Sequence, residues 1–150
     1  MKNTVLLGLL ALASGGLIAV QAAANAAFSR TIQGNVPFVA TTLFFVALVA
    51  GVIALASSGQ GLPSAGQLAA APWWSYTGGL IVAFYVFTIT FLAPRIGVGN
   101  AIALIVAGQI LAALAIDHFG LMRSLVFELN WTRAAGAALM IVGVFLALKR

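Results

Sequence analysis

Residues 94–120 read PRIGVGNAIALIVAGQILAALAIDHFG. Between Arg95 and Asp117 lie 21 residues without a charge, and about 20 apolar residues in a helix cross a hydrocarbon core some 30 Å thick. The stretch reads as a membrane-spanning helix. The turn from Pro94 to Gly99 delivers the chain into it, and Gly120 stands where a C-terminal cap is expected. Near its middle is Gly108-Gln109. A primary amide in lipid without a partner loses several kcal/mol, so Gln109 should face protein or a water-filled cavity, and it becomes a candidate substrate contact. At the far end Asp117 is electrostatically misplaced, because a helix C-terminus already carries partial negative charge, whereas His118 is well placed. Something should hold Asp117. Arg123 or Arg133 could pair with it, which is a structural answer; proton handling by Asp117 and His118 is the functional one.

Composition extends this reading to the whole chain. Of its 150 residues 63% are hydrophobic and 6% charged, with a mean hydropathy of +1.17, whereas soluble domains carry about 25% charged residues. The chain is expected to be an all-α integral membrane protein with one membrane domain, 1–150, and spans near 5–27, 38–56, 75–93, 98–117 and 131–148. No length remains for a soluble domain with its own core. A net charge of +5 could suggest nucleic acid, but the seven Lys and Arg stand almost singly between apolar runs and form no basic patch. They read as topology signals. There is no cysteine, and one histidine with two acids leaves few metal ligands, so neither a metal nor another cofactor is expected.

The first apolar run, Val5 to Ala24, is too long for the core of a secretory signal, although Ala24-Asn25-Ala26 resembles a cleavage site; it is read as the first span. Small residues recur at Ala11, Gly15, Ala19, Ala23 and Ala27, a spacing that lets helix backbones approach in lipid, and that face is expected to pack. Ser14, Gln21 and Asn25 fall on another stripe, since seven and four residues are both close to whole turns. That stripe is a candidate cavity wall. Arg30, Gly34 and Pro37 mark a polar connection over 29–37. Residues 57–72 form a charge-free Gly/Ser/Pro/Gln crossing, and Trp73, Trp74 and Tyr76 mark a membrane interface. In the third span Tyr85 and Thr88 could share a face, among aromatic residues that read as packing and lipid contacts. Gly136 and Gly143 suit the last span to helix association, and Lys149-Arg150 anchors its end.

Five spans place Lys2, Arg123 and Arg133 on one side of the membrane and Arg30, Arg95, Lys149 and Arg150 on the other, three charges against four. Orientation follows the excess of Lys and Arg in short loops, so a balanced chain has little to choose its direction by. Many transporters pair two inverted repeats around a central site. An antiparallel homodimer, each chain supplying half of an inverted-repeat transporter, is the natural inference.

QAAANAAFSR at 21–30, Pro72-Trp73-Trp74 with Gly78-Gly79, the Pro94-Arg95-Ile96-Gly97 turn, VAGQILAALAIDHFGL at 106–121 and a glycine-bearing last span ending in basic residues together resemble the YdcZ-type inner-membrane exporters, a five-span family of the bacterial drug/metabolite transporter superfamily. The resemblance covers essentially the whole chain, and its most specific part is a Gly-Gln pair eight residues before Asp-His-Phe-Gly. It implies residence in the bacterial inner membrane and export of small molecules. It also implies that Gln21, Asn25, Gly108, Gln109, Asp117, His118 and Gly120 hold motif positions. Related small multidrug exporters use a glutamate in their first membrane helix. This chain has no acid in its first three spans, so that scheme does not carry over.

The expected function is transport of a small polar or amphipathic solute, with Gln109, Gln21, Asn25, Ser14 and Tyr85 as substrate contacts and Asp117 with His118 as the groups available for proton coupling. Membrane lipid and a second copy of the chain are the other expected partners. A competing reading is a non-transporting assembly or accessory subunit, in which the amides are interhelical hydrogen bonds. An enzyme is not expected, since a hydrolase or transferase would need a nucleophile and base pair or a metal cluster.

Overall fold

A computed structural model describes residues 2–148, with side chains over 4–148. The Lys149-Arg150 anchor and the side chain of Lys2 lie outside the described residues. These residues are helices and connections with no strand, and five helices are long and apolar enough to cross a membrane. Helices are the natural solution, because lipid offers no partner to a backbone N–H or C=O and each must be satisfied within its own segment. The elements are α1 (Lys2–Thr31), α2 (Val36–Ser57), the short α3 (Ala65–Ala69), α4 (Gly78–Ile96), α5 (Val98–Phe119) and α6 (Trp131–Leu148). The chain divides into two compact units, Met1–Arg95 and Ile96–Arg150.

In the first unit, α1 runs on through Ser29, Arg30 and Thr31, which the sequence places in the connection. The helix continues because nothing before Gly34 forbids it, and Thr31 donates its hydroxyl back to the Ala27 carbonyl at 3.1 Å. The break comes at Gln33 and Gly34, both left-handed at φ 58° and 82°, with the Gly34 N–H reaching the Ser29 carbonyl at 2.7 Å. Asn35 then caps α2 by accepting from the Phe38 N–H at 3.1 Å, and Pro37 sits in the first turn, where its missing N–H costs no helix bond. Phe28 and Phe38 close this corner edge to face, 6.3 Å between centroids.

Burial concentrates in that end of the unit. Ala22, Asn25, Ala26 and Ser29 on α1 are buried, as are Val86, Ile89, Thr90 and Ala93 on α4, and both sets follow the i, i+3, i+4, i+7 repeat of one helix face. Val39 and Ala40 contribute from α2. The face expected to pack, Ala11, Gly15, Ala19, Ala23 and Ala27, is instead exposed apart from a partly covered Ala19. The reason is local: α1 is covered only where it approaches the α1–α2 corner, and the stripe centred on Asn25 occupies the covered side.

The crossing segment carries a capping box at Ser64 and Gln67 that starts α3. The Tyr76 hydroxyl donates to the Leu68 carbonyl at 2.7 Å and holds the turn at 73–77 against it. α4 continues through Pro94, which the sequence places in a turn. Proline has no N–H to give the carbonyl of Thr90 four residues earlier, so α4 lacks that bond. The chain turns only at Gly97, whose φ of 91° suits glycine alone.

In the second unit, α5 and α6 form a hairpin. α5 ends at Gly120, left-handed at φ 59° and ψ 31°, whose N–H bonds the Ile116 carbonyl. That is the cap the sequence proposes. A Cβ there would stand 2.8 Å from a Val126 methyl, so the position is closed to larger residues by contact as well as by φ. Asn130 starts α6, accepting from the Arg133 N–H at 2.9 Å.

Candidate functional site

The stripe of Gln21 and Asn25 opens on a groove between α1 and α2 of about 370 Å³. Phe28 continues its α1 wall, and Val39, Thr42, Leu43 and Val46 are among the residues of its α2 wall. The volume lies within the range of small-molecule sites, roughly 300–1,000 Å³. Apolar walls with two amides suit a solute that is partly polar and partly apolar.

The two amides differ in exposure. Gln21 is half-buried, whereas Asn25 is 8% exposed and its Nδ2 has no hydrogen-bond partner. A buried donor left unsatisfied costs about 1–3 kcal/mol. Thr90 Oγ1, fully buried on α4, is the other such atom among the described residues. By contrast, Ser14, Thr31, Thr41, Thr42 and Ser57 return their hydroxyls to the carbonyl four residues earlier. Sequence reasoning passed over Thr90, for nothing in its spacing separates it from those ordinary cases.

The remaining expected contacts fall elsewhere. Ser14 shares the helical stripe, but it is exposed and its hydroxyl is bound to the Leu10 carbonyl at 2.9 Å. Tyr85 is half-buried. The aromatic groove that Thr88 lines is walled by Phe84, Phe87 and Phe91. Gln109 lies exposed in the middle of α5.

Asp117 and His118 stand at the end of the α5–α6 hairpin, where Asp117 lines a cavity of about 570 Å³ with Phe127, Glu128, Asn130 and Arg133. Of the two arginines the sequence offers, Arg133 takes the aspartate, Nη2 to Oδ2 at 2.6 Å. Its Nη1 donates to the Phe127 carbonyl at 2.8 Å, and the Phe127 N–H returns to the Asp117 carbonyl at 3.0 Å. His118 Nδ1 accepts from the Leu129 N–H at 3.2 Å, which requires that nitrogen to be unprotonated. Ser124 donates to the Ile116 carbonyl at 3.1 Å. Side chains and backbone here tie the connection to the end of α5, so the geometry gives both titratable residues a structural partner. Among the described residues no cluster of His, Cys, Asp or Glu could hold a metal ion.

Residues 6–146 match the family described as "Putative inner membrane exporter, YdcZ". The chain is also similar to the inner membrane protein YdcZ of Escherichia coli (strain K12), 29% identical over 92 residues, a stretch that covers 61% of each chain and so less than two thirds of that relative's length. No solved structure matches. A family match over nearly the full chain and five membrane-length helices converge on one assignment: the chain is an integral inner-membrane protein and belongs to the family described as "Putative inner membrane exporter, YdcZ".

Proposed function

We propose that this protein exports a small polar or amphipathic solute, that the α1–α2 groove holds it, and that two copies in opposite orientations form the working unit. The observation that carries the reading is Asn25: a buried donor without a partner, in the wall of a groove large enough for a solute and beside a second amide. That nitrogen is closed off from the groove in the isolated chain, and a turn of the Asn25 side chain toward solute or water in the groove would satisfy it. Gln109 has the same need for a different reason, since a mid-helix amide facing lipid must find a partner, and a second chain or the solute supplies it. The near balance of basic residues across the two sides supports opposite insertion, as does the exposed small-residue face of α1. Inverted halves meeting around a central site are a common transporter plan.

The test is solute counterflow in proteoliposomes, screened over amines, amino acids and metabolites, with Gln21→Leu, Asn25→Leu and Gln109→Leu assayed beside wild type. Cross-linking of single cysteines introduced into this cysteine-free chain reports assembly in the same preparation. Loss of flux with assembly intact is expected for Gln21→Leu and Asn25→Leu. Full flux in both variants would remove the groove as the solute site. C-terminal reporters should be active on both sides of the membrane, and a single orientation would leave a parallel pair or an unlike partner.

A further inference from the structure

We infer that Arg30 and Arg95 form a binding site for a phosphate group at the end of the first unit, separate from the solute groove. The two arginines line one pocket of about 340 Å³ with Ser29, Gln33, Gly34 and Pro94. No carboxylate can neutralise them from within the unit, because both acids of the chain, Asp117 and Glu128, lie beyond residue 95.

An ordinary explanation for each arginine exists and falls short for the pair. Both occupy the last turn of a helix, α1 and α4 respectively, where a cation complements the helix dipole. Each helix end carries only about half a negative charge, so two guanidinium groups leave roughly one positive charge uncompensated, and the N-terminus of α2 beside them adds about half a charge more. Val36, the first residue of α2, is part of the pocket wall.

The geometry also readies one arginine for an oxyanion. Arg95 folds back along its own helix: Nη1 donates to the Phe91 carbonyl, and the guanidinium carbon sits 3.5 Å from the centroid of the Phe91 ring. One bond fixes the plane of the group and leaves its other N–H donors for a ligand. Ser29, only 3% exposed, brings a hydroxyl to the pocket wall. Two guanidinium groups, a hydroxyl and the positive end of a helix are the donors that phosphate oxygens take. The phosphate has two sources, the headgroup of an anionic phospholipid or a phosphate-bearing solute, and both present the same oxygens.

The experiment uses the full chain in nanodiscs, with thermal unfolding followed by tryptophan fluorescence. In one arm inorganic phosphate replaces chloride at constant ionic strength in phosphatidylcholine discs. In the other, phosphatidylglycerol replaces part of the phosphatidylcholine with no phosphate added. Stabilisation by inorganic phosphate identifies a solute site, and stabilisation by phosphatidylglycerol alone identifies a headgroup site; either supports the inference. In the responding arm Arg30→Gln with Arg95→Gln should weaken binding by at least about tenfold, since charge-assisted guanidinium contacts are the strong ones. The milder pair Arg30→Lys and Arg95→Lys keeps the charge and the fold while losing the fork, and should fall between. Arg123→Gln, outside the pocket, should bind as wild type. The inference is overturned if neither arm stabilises wild type, if the lysine pair binds like wild type, or if Arg123→Gln loses as much as the double variant.

Discussion

At the end of the α5–α6 hairpin Asp117 meets Arg133, His118 meets the Leu129 N–H, and Ser124 meets the Ile116 carbonyl. In the wall of the α1–α2 groove, Asn25 holds a buried amide N–H without a hydrogen-bond partner. Both regions break the apolar monotony of the chain. The difference lies in what their polar groups do once folded. Those of the hairpin stabilise a connection; the Asn25 amide of the groove costs stability in the isolated chain. A buried polar group that destabilises its own fold is the better candidate for contact with something outside it.

The comparison can be tested from both sides, beginning where the effect is largest. Gly120→Ala places a Cβ against Val126 in a left-handed conformation, and is expected to lower stability by about 2 kcal/mol through strain and contact together. Thermal or denaturant unfolding of the purified protein checks it, and a neutral result would mean the hairpin end relaxes far more easily than its bonds suggest. Asp117→Asn removes the charge opposite Arg133 at a site where both side chains are about one-third exposed, 31% and 33%. Solvent screening limits the loss to roughly 1 kcal/mol. Flux driven by a pH gradient, normalised to folded protein, should persist in this variant. If it collapses while the fold holds, Asp117 belongs with the transport machinery and the contrast between the regions fails.

Asn25→Leu should move in the other direction. Replacing an unsatisfied buried amide by an apolar group of similar size is expected to raise stability by about 1 kcal/mol while abolishing flux. If stability and flux fall together, Asn25 is a packing residue and the groove loses its principal contact. The smallest effect is expected from Ser14→Ala, since that hydroxyl already serves its own helix. Unfolding and counterflow should both be unchanged within error, and a clear loss of flux would extend the site along the stripe.

Much of this contrast was legible in the residues. Charge-free runs of membrane length specify helices, because lipid permits little else, and Gly120 is recognisable as a cap from its place after an apolar run. Gln21 and Asn25, four apart, had to share a helix face. Periodicity could not say which face of α1 is covered, so the small-residue stripe was assigned to packing when Ala22, Asn25, Ala26 and Ser29 occupy that role. Nor could it choose between Arg123 and Arg133 for Asp117, since the choice depends on how the connection folds back, and Met122 and Arg123 adopt left-handed conformations that composition does not announce. Thr90 was invisible for a related reason. A threonine in a helix ordinarily returns its hydroxyl to the preceding turn, and only coordinates reveal one that does not.

Pro94 gives that threonine a mechanical meaning. Every intact turn of a membrane helix resists bending because bending stretches a backbone bond that lipid cannot replace. At the Thr90 carbonyl that bond is absent from the start. The stiffness of α4 is therefore uneven, with its compliance gathered into the single turn between Thr90 and Pro94, where the helix can flex without breaking a rung.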